Sequence, residues 1–310
     1  ETFQSLVLQG NTFVQLSGGE PTVRDDLPEI IRAAREVGCE TVQLNSNGLR
    51  LAREPQFTRA LAEAGLSFVF MQFDGVSELP HKTLRGAPLL GEKLRAIEVC
   101  DANNLGVTLV PTIVPGVNDG EIGAILNLAI ARAPAVRGVH FQPVSYFGRY
   151  PAPPRDEDRI TLPELLRAIE TQTAGKIKIS DFVPSSCDHP RCGFHGDFAV
   201  LPQGALLRLT PKYKPGQCCD GGDAHLQNRK FVARRWTRPN AKTVSETQNN
   251  ADFGDMTTFL NRVKSHGFTI TAMAFQDAWT LDLERLRRCS LHVVSGARTV
   301  PFCARYITAV

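Results

Sequence analysis

The sequence predicts an α/β protein whose first half is a partial barrel of parallel strands and whose second half is a smaller α+β domain. Three observations support this prediction. Strand-like and helix-like segments alternate through the first half of the 310 residues, polar or glycine-rich turns follow the strands, and six of the eight cysteines lie in the second half. We place the domain boundary between residues 1–180 and residues 181–310.

The first three predicted strands are each followed by a polar turn. They are the segments VQLSGGEP, ETVQLNSNG and LSFVFMQFDG. A helix between the first two is predicted from an apolar stripe at helical spacing, formed by Leu27, Ile30, Ile31, Ala34 and Val37. The segment PQFTRALAEAG predicts a short helix before the third strand.

Two further strands complete the predicted parallel sheet. They are GVTLVPTIVPG and RGVHFQPVS, and a capping box of Thr161 and Glu164 predicts the helix that follows. Strands that alternate with helices form right-handed βαβ units, whose ligands bind at the carboxyl ends of the strands. All five polar turns lie at those ends, so we expect one ligand site there.

In the second half, the sequence predicts loops that contain cysteines, a helix at MTTFLNRVKSHG, a strand at FTITAMAFQDAW and a hairpin that turns near Gly296. Cys289 and Cys303 flank the hairpin, so we expect their sulfur atoms together at its open end. A metal or cluster site is one interpretation, and a disulfide or two buried thiols is the other. His189 and His195 lie in the loop of Cys187 and could be ligands, but we interpret them as surface loop residues.

The composition is that of an ordinary globular protein, with 42% hydrophobic residues, 22% charged residues and a net charge of +3. No apolar stretch has the length of a membrane span, and we find no P-loop, zinc-finger spacing or nucleic-acid module. We expect a cytoplasmic protein that binds no nucleic acid. Peripheral contact with a membrane stays open.

The turn from Ser17 to Pro21 is the strongest motif. A glycine pair lets the backbone approach a ligand closely, and a glutamate with exposed carbonyl groups can accept hydrogen bonds from an ammonium group. A tight turn without a ligand is the alternative interpretation of this motif alone.

The run LSGGEPTVRDD, with NSNG and QFDG at the next strand ends, resembles the radical S-adenosylmethionine (SAM) superfamily. The resemblance implies a partial (βα)6 TIM-like barrel without its first strand, and a motif that holds the amino group of SAM. Later strand ends of the family contact ribose, substrate or adenine. The cofactor-binding residues implied in this sequence are Ser17, Gly18, Gly19, Glu20, Pro21, Asn45, Ser46, Asn47, Gln72, Asp74, Thr112, Val114 and Gln142.

The sequence departs from the family in one respect. Family members bind their catalytic 4Fe–4S cluster through a CxxxCxxC loop after the first strand, and this spacing does not occur here. Either the chain is an incomplete fragment, which its start at Glu1 favours, or it is a degenerate relative. In the first case the ligands of the catalytic cluster lie outside this chain.

The second half resembles one branch of the superfamily, through MAFQDAWTLDLERLRRCSLHVV and PFCARY. The branch includes tetraether lipid synthases and pterin methyltransferase-like proteins, and its members carry auxiliary iron–sulfur clusters. Thiolates are the usual cluster ligands. The predicted ligands are first Cys187, Cys192, Cys289 and Cys303, and then Cys218 and Cys219. Cys39 and Cys100 are interpreted as buried structural thiols.

The resemblance implies an enzyme that cleaves SAM reductively and alkylates or couples an unactivated carbon of a small-molecule or lipid substrate. A reductant such as ferredoxin or flavodoxin would be its partner, and no catalytic side chain is assigned. Two alternatives stay open. One is an iron–sulfur or electron-transfer module that has lost SAM cleavage, and the other is an unrelated TIM barrel that binds phosphate.

Overall fold

A computed structural model describes residues 1–148, 152–185, 188–210, 235–239, 256–296 and 298–307. These residues form a ten-stranded sheet with helices around it and a separate two-stranded hairpin. No helix in these ranges is long and apolar enough to cross a membrane.

The first half alternates strands and helices as predicted. Its elements are α1 (Thr2–Leu8), β1 (Phe13–Leu16), α2 (Leu27–Glu36), β2 (Thr41–Ser46), α3 (Leu49–Arg53), α4 (Pro55–Glu63), β3 (Phe68–Gln72), α5 (Glu78–Arg85), α6 (Leu90–Ala102), β4 (Gly106–Val110), β5 (Thr112–Ile113), α7 (Ile122–Ala131), β6 (Val136–Pro143) and α8 (Leu162–Gln172). The fourth predicted strand is divided into β4 and β5 at Pro111, which has no N–H group for the ladder.

The second half adds short strands and helices. They are β7 (Val183–Pro184), β8 (Gly193–Val200), β9 (Leu206–Arg208), α9 (Met256–Ser265), β10 (Gly267–Met273), α10 (Leu283–Arg287), β11 (His292–Ser295), β12 (Arg298–Pro301) and α11 (Phe302–Tyr306). The predicted helix, strand and hairpin of this half are therefore present.

The main sheet has the strand order β1-β2-β3-β4-β6-β10-β8-β7. Strands β1 to β4, β6 and β10 all run in the same direction, whereas β8 runs antiparallel to β10. The predicted parallel α/β sheet is confirmed. Strands from both sides of residue 180 share this sheet, and the division into two domains stays a prediction, as does closure into a partial barrel.

The two faces of the sheet differ in character. One face packs against the helices through buried apolar residues such as Val42, Val69, Leu109 and Val139. Because paired residues point to the same side of a sheet, the strand register fixes what the other face carries. We call this other face the polar face, and one row across it is Asn45, Phe70, Thr108, Gly138, Thr269 and Asp197.

Candidate functional site

The carboxyl ends of the parallel strands gather the predicted cofactor-binding residues at one edge of the sheet. Leu16 pairs with Leu44, which aligns the turns after β1 and β2. Ser46 pairs with Met71 at the end of β3, and Thr112 in β5 pairs with Gln142 in β6. The structure thus brings together residues that are up to 125 positions apart in the sequence. We call this region the strand-end edge.

The turn after β1 is open to a ligand. Ser17, Gly18 and Gly19 are exposed, and Gly18 has a φ of +143°, a conformation that favours glycine. A Cβ atom added to Gly18 or Gly19 would meet no atom within 4 Å. A ligand can therefore reach the backbone here without displacing a side chain.

The carboxylate of Glu20 is engaged by the protein itself. It accepts hydrogen bonds from the backbone N–H and the hydroxyl of Thr22 at 3.1 and 2.7 Å, from the Ser46 hydroxyl at 2.9 Å and from the Asn47 N–H at 2.6 Å. Three of these donors meet Oε1 and one meets Oε2, so both carboxylate oxygens are held by the protein. Glu20 therefore fixes the turn after β1 against the turn after β2, which leaves the glycine backbone to meet a ligand.

Asp74 also has a structural position. Its side chain is fully buried and accepts two hydrogen bonds from Arg85 at 2.8 and 3.0 Å and one from the Thr112 N–H at 3.3 Å. The side chain of Asn118 donates to the carbonyl oxygens of Asp74 and Thr112, at 2.7 Å each. These contacts join the ends of β3 and β5. The sequence pattern did not indicate these contacts of Asn118 and Arg85.

Lys93 is a buried cation that the sequence pattern did not single out. Its ammonium group donates to the Asn47 carbonyl and to the side chain of Gln72. The side chain is fully buried, and desolvation lowers its pKa to about 8. The available signal was its position on the same helical stripe as Leu90 and Ile97.

The remaining predicted residues of the strand-end edge are partly exposed, so a ligand can contact them. They are Pro21, Asn45, Asn47, Gln72, Thr112, Val114 and Gln142. Ser46 and Asp74, by contrast, are buried and bonded within the protein. The predicted set thus divides into accessible residues and residues that hold the edge in place.

The polar face carries further groups that the sequence did not indicate. The Nδ1 atom of His140 lies 2.7 Å from the Thr271 hydroxyl, its ring centroid is 5.5 Å from that of Phe70, and burial lowers its pKa to about 4. Within the described ranges, the Thr108 hydroxyl and one carboxylate oxygen of Asp197 are buried without a hydrogen-bond partner. Burial raises the pKa of Asp197. Unsatisfied buried polar atoms are rare and suggest a role beyond packing.

The predicted positions of two histidines were wrong. His195 lies in β8 rather than in a surface loop, and His189 is buried, with only 8% of its surface exposed. Both residues belong to the compact region around β8, which continues the main sheet.

Three of the predicted metal-ligating cysteines line one small cavity. Cys192, Cys289 and Cys303 surround about 20 Å³ of space near Gln276 and Arg285. The Arg285 Nε–H donates to the Cys192 sulfur and the Gln276 backbone N–H donates to the Cys303 sulfur, both at 3.3 Å. Because these cysteines come from distant parts of the chain, their convergence indicates a common site. We call it the cysteine site.

The other predicted ligands, Cys187, Cys218 and Cys219, lie outside the described residues. In the parts of the chain that are described, no three histidine, cysteine or carboxylate side chains are arranged to hold a single metal ion. An iron–sulfur cluster is larger than one ion, so its thiolates stand further apart. Three cysteine thiols are the donor type that such a group takes, although the cavity of about 20 Å³ is smaller than the group itself.

The hairpin brings Cys289 and Cys303 together as predicted. His292 of β11 pairs with Pro301 of β12, and the turn contains Gly296. Both cysteines are free, so the alternative of a disulfide is wrong. Burial raises the pKa of the Cys289 thiol to about 11.

Cys39 and Cys100 are buried in the apolar core between helices and sheet, as predicted. Burial raises the pKa of both thiols, for Cys100 to about 12. Neither lines the cysteine site.

Known proteins resemble this chain over its first part or over nearly all of its length. The model of the Radical SAM superfamily matches residues 1–129. The 7,8-dihydro-6-hydroxymethylpterin dimethyltransferase of Methanocaldococcus jannaschii is 32% identical over 332 residues, which cover 94% of this chain and 65% of that protein. The Fe-coproporphyrin III synthase of Methanosarcina barkeri is 36% identical over 119 residues, 38% of this chain and 29% of that protein.

A GTP 3′,8-cyclase of Petrotoga mobilis is 29% identical over 133 residues, 42% of this chain and 40% of that protein. The chain therefore spans less than two thirds of the length of these relatives. Among solved structures, a domain of pyruvate-formate lyase-activating enzyme from Bacteroides vulgatus matches with a TM-score of 0.42 and 15% identity, covering 54% of this chain and 96% of that one.

Proposed function

Because residues 1–129 of this chain belong to the radical SAM superfamily, we propose that the protein binds SAM at the strand-end edge and alkylates or couples an unactivated carbon of its substrate. The observation that carries this proposal is the convergence of five strand ends on an open glycine turn. The superfamily uses SAM and 4Fe–4S clusters, which supply the electron transfer and the radical chemistry when they are bound.

Different residues of the chain have different roles in the proposed SAM site. The backbone carbonyl groups of Gly18 and Gly19 would accept hydrogen bonds from the amino group of SAM, since both residues are exposed. Glu20 positions this turn by joining it to the end of β2. Lys93 holds the backbone of Asn47 from inside the protein, so the edge keeps its shape before the ligand arrives.

The second part of the proposal concerns the cysteine site. We assign Cys192, Cys289 and Cys303 to an auxiliary iron–sulfur cluster, since they line one cavity and thiolates are the usual ligands of such clusters. Cys187 is the proposed fourth ligand of this group, and Cys218 and Cys219 are further candidates.

Methyl transfer is the reaction type that the relatives favour. The relative that matches 94% of this chain is named a pterin dimethyltransferase. A small molecule of this kind would lie beside SAM at the strand-end edge, where Asn45, Gln72 and Gln142 are partly exposed. A lipid substrate and a carbon–carbon coupling reaction are the other forms of the same proposal. A ferredoxin or flavodoxin is the proposed electron donor.

The first test is a matched pair of glycine variants. A Cβ atom added to Gly19 or Gly91 would meet no atom within 4 Å, and neither residue has a positive φ, so both positions tolerate a side chain in the fold. We expect Gly19→Val to weaken SAM binding at least tenfold in equilibrium dialysis. Gly91→Val, on an exposed part of α6, should leave binding unchanged. Equal SAM affinity in both variants would contradict the proposed site.

The second test separates the enzyme from an iron–sulfur module that does not cleave SAM. The protein is expressed together with any upstream coding sequence, prepared anaerobically and reduced, and 5′-deoxyadenosine and iron per chain are measured in the same sample. SAM cleavage supports the enzyme. Bound iron without cleavage in a sample that binds SAM supports the module, and the absence of iron contradicts both.

A further inference from the structure

The cysteine site contains a cation without a carboxylate partner. Arg285 lies on α10, and its side chain is half-buried beside the cavity. Its Nη2 atom donates to the Ala274 carbonyl and its Nε–H donates to the Cys192 sulfur. Among the residues that the structure describes, no aspartate or glutamate forms an ion pair with Arg285.

One contact of Arg285 distinguishes it from other buried or half-buried arginines. Arg85 and Arg159 each meet a carboxylate, and Arg137 donates to backbone carbonyl groups. Arg285 donates to a backbone carbonyl and also to a sulfur atom that lines the cavity. Asp188 lines the same cavity, and thiolates there would add to its negative charge beside the half-buried cation.

The hydrogen bond from Arg285 has a second consequence for a cluster at this site. Hydrogen bonds to sulfur and nearby positive charge both favour the reduced form of an iron–sulfur cluster, because that form carries one more negative charge. The Gln276 N–H donates to Cys303 in the same manner, but it belongs to the backbone and cannot be removed by substitution.

We propose that Arg285 is a positioning residue that orients Cys192 and raises the reduction potential of an iron–sulfur cluster bound at the cysteine site. This inference rests on the proposed function, specifically on the assignment of Cys192, Cys289 and Cys303 as cluster ligands. It assigns the redox control of the site to one side chain.

The test is a redox titration of the reconstituted protein, followed by electron paramagnetic resonance, in wild type, Arg285→Met and Arg287→Met. Arg287 is the matched control, since it lies on the same helix with an exposed side chain. We expect Arg285→Met to lower the ratio of reduced to oxidised cluster about tenfold at a fixed potential, which corresponds to about 59 mV for one electron. Arg287→Met should titrate like the wild type.

Other outcomes separate this inference from the proposed function. No iron in the reconstituted wild type would contradict the cluster assignment itself. Iron retained in Arg285→Met with an unchanged potential would contradict the inference and leave the cluster in place. If Arg285→Met loses its iron, Arg285→Lys and Arg285→Gln decide, because only the first keeps the positive charge and neither keeps the planar guanidinium donor. A lower potential in either variant supports the inference, and wild-type potentials in both overturn it.

Discussion

The guanidinium group of Arg159 forms two parallel contacts with the carboxylate of Asp277, at 2.9 and 3.1 Å. Asp277 is fully buried and also accepts a hydrogen bond from the Tyr146 N–H at 2.9 Å. The pair connects the loop before α8 to the segment after β10, which leads to the cysteine site. Bidentate pairs of this kind are the strong ones among ion pairs.

We expect Asp277→Asn to destabilise the protein by about 3 kcal/mol, because it leaves a mostly buried guanidinium without its counter-charge. The free energy of unfolding in urea measures the effect. Glu63→Gln is the control, since Arg59 and Glu63 form an ion pair with both side chains about two-thirds exposed. Loss of this exposed ion pair should lower the free energy of unfolding by less than about 1 kcal/mol. Equal costs for the two variants would show that the Arg159–Asp277 pair is not a major contact.

The Arg159–Asp277 pair should also make the stability of the protein depend on pH. Burial alone would raise the pKa of Asp277, but the hydrogen bonds from Arg159 and from the Tyr146 N–H outweigh it and hold the pKa below its ordinary value of 3.8. The folded carboxylate thus contributes stability above pH 3.8 that is lost as the pH falls through its lower folded pKa. The stability difference between wild type and Asp277→Asn should shrink below about pH 4. A constant difference from about pH 7 to about pH 2 would contradict this explanation.

Glu20→Gln should weaken SAM binding about tenfold, because a carboxamide oxygen cannot accept all four hydrogen bonds of the carboxylate. The turn after β1 would then lose its fixed position relative to Ser46 and Asn47. Isothermal titration calorimetry with SAM measures the change. Glu29→Gln, on the exposed side of α2, should bind SAM like the wild type.

Because Lys93 is buried, we expect the free energy of unfolding to rise with pH. Its pKa is about 8 in the folded protein against an ordinary 10.5, with desolvation as the main cause. Between these values the unfolded chain keeps a proton that the folded chain has lost, so stability increases with pH, by on the order of 3 kcal/mol in all. Urea titrations from about pH 7.5 to about pH 10.5 should show this rise in wild type and in Lys82→Met, an exposed control. A rise that persists in Lys93→Met would assign it to other groups.

Cys303→Ala should reduce the iron bound per chain after anaerobic reconstitution, since Cys303 lines the cysteine site. Cys100→Ala is the matched control, because that thiol is buried in the apolar core. It should keep its iron, although the lost sulfur costs some stability. Unchanged iron in Cys303→Ala would remove this residue from the proposed ligands.

The strand-end edge was predictable because it follows from a topological rule. Parallel βαβ units place every strand end on one side of the sheet, so the polar turns of β1, β2 and β3 had to meet. The internal bonding of that edge was not predictable. Whether Glu20 faces a ligand or the donors of Ser46 and Asn47 depends on side-chain positions 26 and 27 residues away.

Long-range pairing accounts for the other missing predictions. The sequence predicts β10 as a strand, but nothing in its local pattern shows that it pairs with β6, more than 120 residues earlier. For the same reason, the local sequence pattern did not indicate the polar face. Thr108, His140 and Asp197 lie on three different strands, and only the register between those strands brings them to one side.

The position of β10 between β6 and β8 has a consequence for how the protein is made. Strand β6 ends at Pro143, but its neighbour begins only at Gly267, so on the ribosome the growing chain exposes an open sheet edge while more than 120 further residues are added. Open edges invite pairing with other chains. The sheet can be completed only after Gly267–Met273 has been made, and the maturation of the first half therefore depends on the arrival of the second.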